Sequence, residues 1–451
     1  MTDSLENFPV LQGDWTRSES VLQAAASDYG RIVNHRPLAV IRPRVTHDIQ
    51  LAIQFARRQK ISVAARGRGH STFGQAQAHG GLILDMSSFC EIRECDEDSA
   101  WLGGGCSWAQ VVDHFCPRGR GPAVLTDYLG LSVAGTLSVG GVGGASFRHG
   151  AQTDNVLELE VVTGAGDFVS CSPDRNADLF DAVRAGLGQC GVIVAARMRL
   201  VPTGHCVRVH EFVYPDFHQF IEAARGCAKV ATVDYVDGTI VATGDGRHTF
   251  VLTAAEFERS PGQDVLGQAG APVSHSTVSK PYGEFVRRVD HYVERLKQRG
   301  LWDVPHPWLD LFVPAQGLSR FMEEALRELR SEDDGMILIY MLDPSKSNTP
   351  LLAFSEGEEH VLVDLLRNTP QVGELERQLG RNDQLTELGA ELGASIYPIG
   401  SMPNANWDKL YRGRGQLADA KRRFDPDHIL TPGQGARGAG VGHGVGAAGT
   451  S

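Results

Sequence analysis

Residues 65–78 read ARGRGHSTFGQAQA. The run from Ile61 to Ala65 is short, apolar and strand-like, so Arg66-Gly67-Arg68-Gly69-His70-Ser71 is a loop at a strand's end. Its glycines let backbone N–H groups close around an anion, and Arg66 and Arg68 add positive charge, a combination suited to a diphosphate. The GxGxxG spacing of a dinucleotide-binding turn is absent, and no Gly-Lys-Ser/Thr follows as in a nucleotide phosphate loop. The same residues fit a tight turn with solvated arginines, and His70 alone fits an ordinary hydrogen-bonding histidine.

Outward from this loop the first half alternates short elements. Leu38 to Val45 reads as a strand closed by Pro43, after which Thr46 caps a helix with Ile49, Ala52, Ile53 and Ala56 on its apolar face. Leu82 to Asp85 reads as a strand, and Ser107 caps a helix carrying Trp108, Val111, Val112 and Phe115. A Gly-rich run, GLSVAGTLSVGGVGGASFRHG, fills 130–150. Strands Val156 to Thr163 and Phe168 to Cys171 flank a turn at Gly164-Ala165-Gly166; a helix at Asp178 to Ala185 and a strand at Gly191 to Leu200 follow. From about 205 the texture changes to longer amphipathic helices, Tyr282 to Arg299 and Leu318 to Arg330, with strands at Thr249 to Ala254 and Met336 to Met341. The fold class is α+β, with a boundary near 203. The Gly- and Ala-rich end, 436–451, has too little apolar bulk to offset its ordering entropy and is expected to be disordered.

The chain has 451 residues, enough for two domains, and a net charge of −12. That balance excludes a basic stripe for nucleic acid. No apolar run is long enough to span a bilayer, and the polar start, Met1-Thr2-Asp3-Ser4, lacks the pattern of a secretory signal; a cytoplasmic location is expected. The eight cysteines are scattered without CxxC or zinc spacing, so reduced, mostly buried thiols and no metal site are expected.

Three stretches together resemble the cytokinin dehydrogenases, a branch of the vanillyl-alcohol-oxidase-type FAD enzymes. They are ARGRGHSTFGQAQA at 65–78, TDYLGLSVAGTLSVGGVGGASFRHGAQTDNVLELEVVTG at 126–164 with its continuation to Ile193, and FDPDHILTPGQG at 424–435. DVPHPWLDLFVP at 303–314 is similar to a substrate-domain segment of that family. The resemblance implies an FAD-binding domain formed by 1–202 and 397–435, and a substrate domain, 203–396, that covers the flavin.

What the resemblance implies for the site is specific. FAD is expected to be attached covalently through His70. Gly67, Arg68, Gly69, Ser71 and Gln75 match the family's FAD-contacting loop. Ser132, Ser138, Val142, Ile193 and Gln434 fall at further FAD contacts, Ser132 and Val142 as conservative changes of type. No cysteine stands in Leu125-Thr126-Asp127-Tyr128-Leu129, so one covalent link is expected rather than two. Asp127 matches the active-site aspartate, and a shielded carboxylate can act as a base. By position alone, Asp127 fits a turn residue capping the chain better than a base. The implied reaction oxidises the N6 side chain of an adenine-type cytokinin, with a quinone-type acceptor or oxygen taking the electrons. Trp308 is a candidate wall for the purine, or a core tryptophan.

Two departures bear on specificity. Asp310 stands where the family has Asn; a carboxylate donates no hydrogen bond unless protonated, and a neighbouring acid would raise its pKa. Ile396-Tyr397-Pro398 replaces the family's Tyr-Leu-Pro order, making Tyr397 a candidate substrate contact. Asp237 is a candidate entrance acid. Competing readings are a sugar or alcohol oxidase of the same fold and a non-catalytic flavin- or purine-binding protein.

Overall fold

The computed structural model describes residues 5–257, 265–330, 335–355, 357, 359–401 and 409–432. Gln434 and the tail from 436 onward lie outside them. Three sheets organise the chain. The first contains β1 (Asp14–Thr16), β2 (Ala39–Arg42), β3 (Val63–Arg66) and β4 (Leu82–Asp85), in the order β1-β2-β4-β3. The second contains β5 (Ile92–Asp96), β6 (Ser99–Gly103), β7 (Arg120–Pro122), β8 (Val156–Thr163), β9 (Phe168–Cys171) and β10 (Gly191–Pro202). Its order is β5-β6-β10-β8-β9, with β7 also on β10.

The third sheet is built from later residues: β11 (Cys206–Tyr214), β12 (Tyr235–Ala242), β13 (His248–Phe257), β14 (Ser274–Pro281), β15 (Leu309–Pro314), β16 (Met336–Leu342), β17 (His360–Leu366) and β18 (Ser395–Ile396). Their order is β14-β11-β13-β12-β16-β17-β15-β18, and every pairing in it is antiparallel.

Side chains alternate across a strand, so the third sheet has two distinct faces. One face is covered by helices. A Cβ placed on Gly238 would come within 2.2 Å of the Phe220 ring, and one on Gly389 within 3.0 Å of Leu311. The opposite face carries Tyr235, Asp237, Tyr340, Asp364 and Asp310, because Asp237 pairs with Tyr340 and Asp310 with Asp364. That polar face looks toward the residues before 203.

The strands at 82–85, 156–163 and 168–171 have the bounds the sequence suggests. Three other readings are corrected. Thr46 is the first helical residue of Thr46–Gln59 rather than its cap. The capping group is Asp48, whose carboxylate accepts from the backbone N–H groups of Gln12, Gly13, Arg44 and Val45 at 2.8 to 3.3 Å. The helix at Tyr282–Arg299 is two, Tyr282–Val286 and Asp290–Gln298, broken where Arg288 turns inward to a carboxylate. The helix read at Leu318–Arg330 spans Ala315–Ala325 and tightens into a 3-10 turn to Glu328.

The C-terminal segment returns to the first sheet. Val63 N–H donates to Ile429 at 2.8 Å, and Thr431 N–H donates to Val63 at 2.8 Å. Lys421 anchors this return, its ammonium buried against Asp425 at 2.8 Å and against the carbonyls of Leu430 and Gln189. The chain's end thus braces the strand that leads into His70.

Candidate active site

The loop after β3 is held from below. Tyr29 N–H donates to Gly69 O at 2.8 Å and Gly30 N–H to Ser71 O at 3.1 Å. Asp28, buried, accepts from Ser71 Oγ at 3.1 Å and Gly74 N–H at 2.6 Å. Burial raises the Asp28 carboxyl above its usual range, against the pull of the Gly74 and Ser71 hydrogen bonds and the nearby Arg66. Gly67 is glycine for a steric reason: a Cβ there would lie 2.0 Å from Ser132 Oγ. The loop and the Gly-rich run therefore touch. Arg68 is exposed, and Gln75 Oε1 closes a local turn on Phe73 N–H at 2.8 Å.

His70 stacks on Tyr29 with ring centroids 3.9 Å apart, and Tyr29 stacks in turn on His306 at 4.0 Å. Trp308 stands edge-on to Tyr29 at 5.3 Å and 6.0 Å from His70; Tyr128 and Trp302 complete the cluster. Burial, helped by His306, pushes the His70 imidazole down to about 3, so the ring is neutral at ordinary pH. Its Nε2 is buried and has no hydrogen-bond partner among the described residues; the same holds for Arg66 Nη1 and Trp308 Nε1. Unpaired buried polar atoms beside a glycine-lined loop fit a bound group such as FAD.

Asp127 lies in the loop between β7 and the helix Val133–Leu137. Tyr235 donates to its Oδ1 at 3.0 Å, Arg288 to the same oxygen at 2.5 Å, and Tyr340 to Oδ2 at 2.8 Å. Arg288 also binds Asp237 at 3.2 Å and the Tyr235 hydroxyl, and its guanidinium lies 4.6 Å from the Tyr235 ring centre. Asp237 is buried with Oδ2 2.7 Å from the Tyr235 hydroxyl, so Asp127 and Asp237 compete for that one hydrogen. Burial raises the Asp237 carboxyl; Arg288 opposes this and Asp127 adds to it. Gly144 makes the arrangement possible, because a Cβ there would sit 2.2 Å from the Tyr235 ring.

A carboxylate offers about four acceptor positions. Arg288 on Oδ1 and Tyr340 on Oδ2 hold Asp127, and Tyr235 is a third donor on Oδ1 when its one hydrogen is not on Asp237. One position on Oδ2 is left for an N–H or O–H of a ligand. The geometry can hold a donor hydrogen and take a proton from it.

The other sequence-named residues divide. Tyr397 is buried, and its hydroxyl accepts from Gly141 and Val142 N–H at 3.2 and 3.3 Å, tying the third sheet to the Gly-rich run. Ser138 Oγ is bonded back to Ala134 O at 2.7 Å, and Ile193 is buried in β10. Asp310 is buried beside Asp364, its partner across the strands, and not beside Asp127. Sequence reading did not single out Tyr235, Arg288, Tyr340 or Asp364. They come from separate elements, and only sheet register brings them together.

Comparison with known proteins places the chain in a family. Residues 37–172 match the model of an FAD binding domain, and 271–436 match that of cytokinin dehydrogenase 1, FAD and cytokinin binding. The chain is 36% identical to cytokinin dehydrogenase 3 of Oryza sativa subsp. japonica, over 91% of this chain and 89% of that one. It is equally, 36%, identical to an uncharacterised oxidoreductase, ORF5 in the fasciation locus of Rhodococcoides fascians, over 94% and 99% of the two chains. Cytokinin dehydrogenase 1 of Arabidopsis thaliana is 32% identical over 91% of this chain and 80% of its own. The fold is shared with 6-hydroxy-D-nicotine oxidase of Arthrobacter nicotinovorans, with a TM-score of 0.73 and 20% identity over 93% of this chain and 96% of that one. With an FAD-binding domain, relatives matched along nearly its whole length and that shared fold, the chain is a member of the cytokinin dehydrogenase family of FAD oxidoreductases.

Proposed function

We propose that this protein oxidises the N6 side chain of adenine-type cytokinins, isopentenyladenine or zeatin, with FAD attached through His70. The observation that carries the reading is Asp127, pinned by Tyr235, Arg288 and Tyr340 with one acceptor position open. Residues 1–202 and 397–435 form the FAD-binding domain in this reading, and 203–396 the substrate domain. The loop 66–71 with Ser132 holds the cofactor, and the neutral imidazole of His70, unpartnered at Nε2, is the attachment point.

FAD, when bound, supplies the acceptor for a hydride from the side-chain carbon next to N6. Asp127 accepts the N6–H hydrogen bond and takes its proton as that carbon is oxidised. Tyr340 and Arg288 keep the carboxylate from turning away, which holds the substrate within near-attack distance, about 3 to 3.5 Å. Trp308 and the aromatic cluster around His70 provide a flat apolar wall for the purine. Water hydrolyses the resulting imine to adenine and, from isopentenyladenine, 3-methyl-2-butenal. A quinone-type acceptor or oxygen closes the cycle.

The test is product analysis. The FAD-loaded protein is incubated with isopentenyladenine and a quinone, and adenine and aldehyde are measured by chromatography. Equal amounts of both are expected. Turnover of sugars or simple alcohols, with no adenine released, would move the assignment to an alcohol oxidase.

A further inference from the structure

The polar face of the third sheet holds a second pair of acids that this reaction does not use. Asp310 on β15 and Asp364 on β17 are direct cross-strand partners, so their side chains project from the same face side by side. Asp310 is 0% exposed and Asp364 7%. The two carboxyls are close enough to share a hydrogen bond once one of them is protonated. Among the described residues no other N–H or O–H group donates to either oxygen of Asp310, or to Oδ1 of Asp364. Among the described residues no lysine, arginine or histidine is paired with either carboxyl, in contrast to Asp127 and Asp237, which share Arg288.

Two carboxylates buried in contact without a cation cannot both be ionised, because desolvation and mutual repulsion act in the same direction. A hydrogen bond between them needs a proton on one. Other titratable groups face the pair from the neighbouring strand, from the loop after β18 and from the first half of the chain: Tyr340, Tyr397 and Asp127. Both phenols are buried and neutral at ordinary pH, since burial raises them. Asp364 and Asp127 repel each other, and Tyr340, which donates to Asp127, stands two residues along β16 from Leu338, the residue paired with Asp364.

We propose that Asp310 and Asp364 are never ionised together and act as a positioning pair for Asp127. With both carboxyls protonated, no negative charge lies behind Tyr340. Loss of one proton puts a charge on the same face, which the other carboxyl then shares, pushing the Asp127 carboxylate away from the place where it meets the substrate N–H. The pair thereby sets the upper pH limit of the reaction proposed above, on which its kinetic consequence rests. Burial brings Asp310 up to about 8, against the lowering effect of a hydrogen bond with Asp364, and this places that limit.

Two measurements on the FAD-loaded protein test this. Infrared difference spectra across the transition near pH 8 are expected to show loss of a protonated carboxyl in the wild type and no such loss in Asp310→Asn. The pH profile of kcat/KM for isopentenyladenine is expected to fall above about 8 in the wild type and to lose that limb in Asp310→Asn, because an amide has no such proton to lose. A wild type without that loss, or an Asp310→Asn variant that keeps both the loss and the limb, would overturn the pairing. The infrared arm needs no substrate and examines the wild type directly, so it decides the pair even if a variant fails to fold. Absence of turnover with isopentenyladenine would count against the proposed reaction alone.

Discussion

At the scale of single residues, the site depends on two side chains with opposite needs. His70 is neutral, and buried and unpaired at Nε2; an unpaired imidazole nitrogen beside a glycine-lined loop is costly unless something binds there. Acid precipitation of the FAD-loaded protein is expected to leave yellow flavin on the wild-type polypeptide and to free it from His70→Ala. Flavin released from both would remove the covalent link. Asp127, in contrast, is surrounded by donors. Tyr340→Phe removes one hydrogen bond to a charged carboxylate, worth about 1.5 kcal/mol, so kcat/KM is expected to drop about tenfold. Arg288→Met removes a charged one and leaves Asp127 against Asp237; a loss of about 10- to 100-fold is expected. A smaller effect at Arg288 than at Tyr340 would show that the ion pair does not orient the carboxylate.

At the scale of elements, the capping of Thr46–Gln59 gives a test in stability rather than rate. Burial would raise Asp48, but four backbone N–H donors outweigh it and hold the carboxyl below its usual value of 3.8. The sign follows from linkage: a depressed carboxyl contributes stability that is present above the usual value and lost as pH falls through the native one. Asp48→Ala is therefore expected to lower the unfolding free energy by about 1 to 2 kcal/mol at neutral pH, with the gap to wild type narrowing in acid. Urea titrations at two pH values measure it; a gap that widens in acid would contradict the capping role.

The elements also show what could be read from sequence. The strands at 82–85 and 156–163 are apolar enough to stand out, and the RGRGHS loop and TDYL run mark His70 and Asp127 through motif. The strands β12, β15 and β17 escape notice for a physical reason. Their inward positions carry Tyr235, Asp237, Asp310 and Asp364, so the site's acids stand where apolar residues would give a strand its signature. Arg288 was hidden differently. Its neighbours have helical spacing, and the break at 287–289 arises from the pull of carboxylates distant in sequence.

At the scale of the whole molecule, the first sheet is completed by residues more than three hundred positions later. Val63 exchanges backbone hydrogen bonds with Ile429 and Thr431, and the return is locked by the buried Lys421–Asp425 pair. Lys421→Met leaves the Asp425 carboxylate buried without its cation, a loss of about 3 to 5 kcal/mol. Because β3 leads directly into the His70 loop, the same variant is expected to retain less FAD after gel filtration. Full FAD retention with lowered stability would separate the brace from the cofactor site.

The central claim is that Asp127 serves hydride loss from a cytokinin side chain. Anaerobic mixing of the FAD-loaded protein with isopentenyladenine, followed by visible absorbance, tests it most directly. The account predicts that the yellow flavin band bleaches in the wild type and does so slower by a factor of about a hundred or more in Asp127→Asn. A wild type that stays yellow, or an Asp127→Asn variant that bleaches as fast as wild type, would contradict it.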